Sequence, residues 1–107
     1  MSNNPYARNF ADFLSKRPKD KPFCFWLGTS EPHRGYARNL WKSRKDPANV
    51  IVPPYLPDHP TVRADILDYQ HEVEHFDKAV VDAMALIEKR GELDNTIVVV
   101  TSDHGMP

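Results

Sequence analysis

The sequence predicts an α/β fold in which parallel strands form a central sheet. Two apolar runs, over about 23–28 and 96–102, are each followed by polar residues. The second run contains Val98, Val99 and Val100, and β-branched residues without alternation are typical of a strand buried on both faces. A long helical pattern separates the two runs, so the order is that of a βαβ crossover. We therefore expect both strands to end at the same edge of the sheet.

A short amphipathic helix is expected near the start of the chain, over about 7–16. Phe10, Phe13 and Leu14 recur there at helical spacing. The segment 17–22 contains two prolines and ends the pattern.

The first strand, over about 23–28, leads into a long loop. Its apolar run ends at Gly28, and Cys24 is expected to lie in the core. Residues 29–60 are polar, basic and rich in proline, which predicts an irregular loop. Ordered loops of this length are usually functional.

The clearest pattern is a helix over about 61–90, which precedes the last strand. Pro60 suits its first turn, and Gly91 suits a left-handed position just beyond its end. Apolar residues spaced by three and four are expected to face the core as one stripe. This stripe consists of Val62, Ile66, Tyr69, Val73, Phe76, Val80, Ala83 and Ile87.

The composition limits the possible functions without identifying one. With 14 basic and 15 acidic residues, the chain is not expected to bind nucleic acid generally, although local basic patches stay possible. No apolar stretch approaches the roughly 20 residues that cross a bilayer, and no signal peptide is recognisable. Two strands and one long helix would leave sheet edges uncovered, so we expect the chain to be a segment of a larger domain.

A possible metal site follows the last strand. Asp103 and His104 offer a carboxylate and an imidazole, which together can bind calcium, manganese or zinc. The alternative is a loop aspartate that caps a following helix.

The predicted long helix also contains a zinc-protease pattern, because His71, Glu72 and His75 match H-E-x-x-H. If Val73 faces the core, both histidines lie about 200° away on the polar side. We therefore interpret them as a solvent-exposed charged face.

Several segments occur in one order along the chain: Pro32-His33-Arg34 after the first strand, then 52–58, 62–65, and 93–105. This ordered set resembles the sulfatase family over about 21–107, and most closely its heparan N-sulfatase branch. The resemblance implies a three-layer sandwich like that of the alkaline phosphatase superfamily, with 1–107 as part of its large catalytic domain.

The resemblance implies roles for three residues, and the guanidinium of Arg34 suits the same substrate. His33 matches the active-site histidine that contacts the sulfate group, so we expect it to be catalytic and to bind substrate. Arg34 is expected to bind the same anionic substrate. Asp103 matches a calcium-binding aspartate, and His104 occupies the adjacent ligand position. Calcium is therefore the expected cofactor, with manganese or zinc as alternatives.

The family's formylglycine nucleophile has no convincing counterpart. Ser30, Pro32 and Arg34 fit its signature only loosely, and the sequence around Cys24 lacks both proline and arginine. We expect formylglycine elsewhere in the parent protein, and we expect the 107 residues alone to be inactive.

The expected parent reaction is hydrolysis of a sulfate ester or sulfamate on a sulfated sugar. Attack on sulfur by hydrated formylglycine would be assisted by calcium. One alternative is a metal-dependent phosphodiesterase or phosphonate hydrolase of the same superfamily, and another is a non-catalytic anion-binding module. Neither a nucleic acid nor a membrane is an expected partner. The resemblance leaves a periplasmic, extracellular or lysosomal location open.

Basic residues of the loop either extend an anion-binding rim or are simply solvated: Arg38, Lys42, Arg44 and Lys45.

Overall fold

The structure is a computed structural model that describes residues 5–105, and two α-helices dominate it. Helix α1 spans Pro5–Lys16 and helix α2 spans Pro60–Glu88. These helices lie where the sequence predicts helices over about 7–16 and 61–90. Short 3-10 turns lie at Leu40–Ser43, Pro47–Asn49 and Leu93–Asn95.

The predicted parallel sheet is wrong for this structure, because no strand occurs within residues 5–105. No backbone hydrogen bond joins 23–28 to 96–102 in the described part of the chain. A strand depends on a neighbour that pairs its N–H and C=O groups, and β-branched side chains alone do not supply one. Ile97 and Val99 are instead 92% and 78% exposed. The three-layer α/β sandwich is therefore not the fold of the described chain.

The segment after α1 packs one face against the helices. Phe23, Phe25 and Leu27 are partly buried, whereas Cys24 and Trp26 are exposed. This alternation is the period of two that an extended backbone produces. Cys24 therefore lies on the outer face, not in the core where the sequence analysis placed it.

The core forms where α1 crosses the C-terminal half of α2. Phe10 and Leu14 from α1 pack against Ala83 and Ile87 from α2, and all four are buried. The Phe25 ring adds to this cluster, with its centroid 4.7 Å from that of Phe10. Burial of aromatic and aliphatic surface is the main stabilising contribution here.

The two halves of α2 have different surroundings. Ala83 and Ile87 are buried as the predicted stripe requires, but Val73 is 38% exposed. In the N-terminal half, a buried carboxylate, Asp68, faces the loop that precedes the helix. The predicted stripe therefore does not run along the whole helix, because the buried residues of this half are Leu67 and Asp68, which lie outside it. No helix within residues 5–105 has the length and apolar character to span a membrane.

Asp68 holds the long loop against α2. Its carboxylate is 4% exposed and accepts hydrogen bonds from the backbone N–H groups of Asn39 and Leu40, both at 2.8 Å. Asn39 has a φ of 67°, in the left-handed region that asparagine tolerates better than most residues. This turn directs two consecutive N–H groups at one carboxylate.

Arg63 of α2 makes a second attachment to the loop. Its guanidinium donates to Asp58 at 2.6 and 2.8 Å, and also to the carbonyl oxygens of Pro47 and Val50 at 2.8 and 3.0 Å. The hydrogen bond from Arg63 lowers the pKa of Asp58 and raises the pKa of Arg63. One side chain thus satisfies two carbonyl groups of a loop that has little secondary structure.

Candidate functional site

The candidate site lies where α1 and α2 hold the start of the loop, and Tyr6 of α1 makes the first contact. The Tyr6 hydroxyl donates to Glu31 Oε2 at 2.7 Å and accepts from the Ser30 N–H at 3.2 Å. Burial alone raises the pKa of Glu31, but the Tyr6 hydrogen bond and the nearby His75 help to outweigh it. The net effect is a pKa below the ordinary 4.5.

His33 lies exposed beside a shallow concave pocket of about 270 Å³. Its backbone N–H donates to the Ser30 carbonyl at 2.9 Å, which closes a tight turn. Carboxylates approach the same space from the loop and from α2. The lining residues are Ser30, Glu31, His33, Gly35, Tyr36 and Glu72. The pocket therefore combines an imidazole, a hydroxyl and two carboxylates.

Arg34 is oriented by α2. Its two terminal nitrogens donate to the two carboxylate oxygens of Asp65 at 2.8 and 2.9 Å, and this pairing raises the pKa of Arg34. The guanidinium carbon also lies 6.0 Å from the centroid of the Tyr36 ring. An anionic substrate that used both terminal nitrogens of Arg34 would have to displace Asp65.

Tyr36 supplies a buried hydroxyl group to the pocket. Its hydroxyl is buried and has no hydrogen-bond partner among the described residues. Burial, and then the negative charge of Asp65, raise the pKa of this hydroxyl. Tyr36 therefore stays a neutral phenol at physiological pH and has a proton to donate.

Asp103 and His104 lie together in a turn at the end of the described chain. Asp103 Oδ1 accepts the His104 N–H at 2.9 Å, and His104 Nδ1 lies 2.9 Å from the Gly105 carbonyl oxygen. That oxygen can only accept, so Nδ1 carries the proton in the neutral ring and Nε2 keeps a lone pair. Nε2 faces Asp103 Oδ2 at 3.7 Å.

The Asp103–His104 pair fits the donor set of a divalent cation. A separation of 3.7 Å is shorter than the sum of two metal–ligand distances of roughly 2.1 Å each, so both atoms can reach one ion. Their side chains are 89% and 68% exposed. Within residues 5–105, no group of three or more histidine, cysteine, aspartate or glutamate side chains is placed to hold a metal.

The structure shows no direct polar contact between the pair His33–Arg34 and the pair Asp103–His104 within residues 5–105. The reason for expecting convergence was a shared edge of a parallel sheet, and the described chain has no sheet. The assigned roles of these four residues stay predictions.

The H-E-x-x-H pattern is arranged differently from the expectation. His75 is exposed, but His71 is half-buried, and its Nδ1 has no hydrogen-bond partner in the described part of the chain. Glu72 lines the pocket beside His33. The two histidines therefore do not form one solvated face.

The sequence did not predict that Tyr6, Asp65 and Glu72 contact the residues of the site. Tyr6 lies 25 positions from Glu31, so no local pattern connects them. Asp65 and Asp68 are three residues apart on a helix, a spacing that marks a second, polar face. That spacing is the signal in the sequence that could have predicted the contacts between α2 and the loop.

Comparison with known families identifies the class of the chain. The sequence model of the Sulfatase family matches residues 1–107. The chain belongs to the sulfatase family, as the order of its segments predicts.

Two curated relatives define the similarity more closely. The chain is 31% identical to human N-sulphoglucosamine sulphohydrolase over 91 residues, which are 85% of this chain and 18% of the relative. It is 34% identical to the ulvan-active sulfatase of Formosa agariphila over 56 residues, which are 52% of this chain and 9% of that relative. The chain thus spans less than a fifth of the length of either relative. No solved structure matches it.

The Tyr6–Glu31 contact predicts a measurable pH effect. The folded-state pKa of Glu31 is depressed, so its contribution to stability is present above pH 4.5 and is lost as the pH falls through the folded pKa. We expect Tyr6→Phe to raise the Glu31 pKa and to move the acid-induced loss of stability to higher pH. Carboxyl NMR titration with thermal melting measures both. Tyr55→Phe, at a tyrosine that is 79% exposed, is the matched control. An unchanged Glu31 titration in Tyr6→Phe contradicts the assignment.

Proposed function

We propose that this protein is a sulfatase-type hydrolase that cleaves sulfate esters or sulfamates of sulfated sugars. The observation that carries the proposal is the family match along the whole chain. The names of the two relatives support the substrate class, because one refers to N-sulphoglucosamine and the other to ulvan. In a sulfate ester the bond that would break joins the sulfuryl group to an oxygen of the saccharide, and in a sulfamate it joins the sulfuryl group to a nitrogen.

His33 is the residue that we assign to the sulfuryl group. Sulfuryl transfer places negative charge on the sulfate oxygens and on the leaving atom, and an imidazole N–H can donate to either. The structure supports this role, because His33 is exposed at a concave pocket and its turn is held by a backbone hydrogen bond. Arg34 contributes positive charge beside it, with its orientation held by Asp65.

Asp103 and His104 are the residues that we propose to hold a calcium ion in the parent enzyme. A bound divalent cation would offset the negative charge of the sulfate oxygens. The lone pair on His104 Nε2 and the Asp103 Oδ2 atom are both available for it. Two side chains supply fewer ligands than the six to eight oxygens that calcium prefers, so binding to this chain alone should be weak.

A binding experiment tests the role of His33 without requiring turnover. Addition of N-sulphoglucosamine should shift the His33 ring resonances in a histidine-detected NMR titration, whereas glucosamine should not. His33→Asn should abolish sugar-dependent shifts elsewhere in the pocket. His59→Asn, which changes the exposed histidine at the start of α2 to another residue that caps helices, should preserve them. Equal responses to both sugars, or a loss confined to His59→Asn, would overturn the assignment. We also expect no sulfate release by the 107-residue chain, and release measured by ion chromatography would show that this part of the proposal is wrong.

A calcium titration tests the second pair of residues. We expect Asp103 and His104 resonances to shift with a dissociation constant on the order of millimolar, because two exposed ligands leave most of the coordination to water. Asp103→Asn should remove the response. Asp94→Asn, at another exposed aspartate, should not change it. Tight stoichiometric calcium binding, or an unaltered response in Asp103→Asn, would contradict the proposal that these two residues form a weak partial calcium site.

A further inference from the structure

We propose that the loop segment 38–45 and the groove beside it form a second binding surface, for a sulfated saccharide chain. We name this region the basic groove. It lies along α2 and shares no lining residue with the His33 pocket. The class of ligand follows from the proposed function. The groove would bind a part of the saccharide that is distant from the bond that is cleaved.

The first argument is the charge of the segment. The side chains of Arg38, Lys42 and Arg44 are exposed and form no ion pair with any described residue. Lys45 is already engaged, because its Nζ lies 2.5 Å from Glu74. Three cationic groups are therefore presented to solvent within seven positions of the chain.

Neither of the nearby carboxylates Asp46 and Asp68 forms an ion pair with these cations. Asp68 is buried, and its two carboxylate oxygens accept hydrogen bonds from the backbone N–H groups of Asn39 and Leu40. Asp46 also lines the groove, where it accepts the Ala48 N–H at 2.9 Å. The chain as a whole carries a formal charge of −1, so the positive charge of this segment is a local feature. A local cluster of this kind raises the concentration of an anionic ligand nearby.

The second argument is the shape and chemistry of the groove. It encloses about 770 Å³ and is bordered by Arg44 and Lys45. Apolar side chains form much of its wall, and two amides lie among them. The residues that matter here are Ile51, Ile66, Tyr69, Val73, Asn49 and Gln70.

A sulfated saccharide matches this combination of groups. The C–H faces of a sugar ring can pack against Tyr69 and the aliphatic wall, and its hydroxyl groups can hydrogen-bond to the amides. Sulfate groups on the same chain can pair with Arg44 and its neighbours. A lipid tail would leave the amides of Asn49 and Gln70 unpaired, so the lining favours a saccharide over an anionic membrane.

The groove is also held in shape before any ligand arrives. Asp68 fixes the turn that begins at Leu40, and the Arg63 side chain binds the carbonyl oxygens of Pro47 and Val50. The loop side and the helix side of the groove are thus connected by hydrogen bonds. A preformed surface loses less conformational entropy on binding.

Calorimetry of the 107-residue chain with a heparin-derived oligosaccharide tests the proposal. The double variant R38A/R44A should bind about tenfold more weakly and show a shallower dependence of affinity on salt, because fewer cations contact the polyanion. K19A/K21A is the matched control, since it removes two exposed cations from the turn after α1. It should bind like the wild-type chain. Desulfated oligosaccharide should not bind measurably.

A charge-neutral variant separates the groove from a simple basic patch. Ile51 is 91% exposed, so I51S should leave the fold intact while weakening oligosaccharide binding a few-fold through lost apolar contact. Circular dichroism checks that all variants keep their helical content. The proposal is overturned by equal losses in K19A/K21A and R38A/R44A, by unaltered binding in I51S, or by binding to phosphatidylserine vesicles but not to the oligosaccharide. None of these results depends on hydrolysis, so a failure here leaves the His33 test unaffected.

Discussion

The carboxylate of Asp68 provides the contact on which the arrangement of the long loop depends. Residues 29–60 contain little regular structure, so their backbone polar groups need partners from elsewhere. Asp68 binds two N–H groups in the middle of this loop, and Arg63 binds two carbonyl oxygens further along it. The start of the loop is held by Arg34, which pairs with Asp65. The N-terminal half of α2 thus holds the loop through polar contacts, and its C-terminal half packs in the apolar core with α1.

Two sides of α2 face two different concave surfaces. On one side, Glu72 of α2 lines the His33 pocket, and Tyr6 of α1 binds another of its lining residues, Glu31. On the other, Tyr69 and Val73 face the groove that Arg44 borders. A sulfatase that acts on a charged saccharide needs to contact both the reacting sulfate and the rest of the sugar. The two surfaces are the ones that we propose for these two tasks in this member of the sulfatase family.

The sequence predicted the helices far better than the strands, for a physical reason. A helix closes its hydrogen bonds within one segment, so periodicity and the ends at Pro60 and Gly91 were sufficient for α2. A strand needs a partner, and the valines at 98–100 identify only a segment that could pair. The exposed position of His33 followed from its place in a loop. Its neighbours Tyr6 and Glu72 come from distant helices, and no local pattern could reveal those contacts.

Amide hydrogen exchange in the 107-residue chain tests most directly whether Asp68 holds the loop. The Asn39 and Leu40 amides should exchange at least about tenfold more slowly than those of Val98 and Val99, because a hydrogen bond to a buried carboxylate must open first. Asp68→Asn should remove most of that protection, whereas Asp77→Asn, at an exposed position of α2, should preserve it. Equal exchange at all four amides, or protection that survives Asp68→Asn, would contradict the central role of this carboxylate.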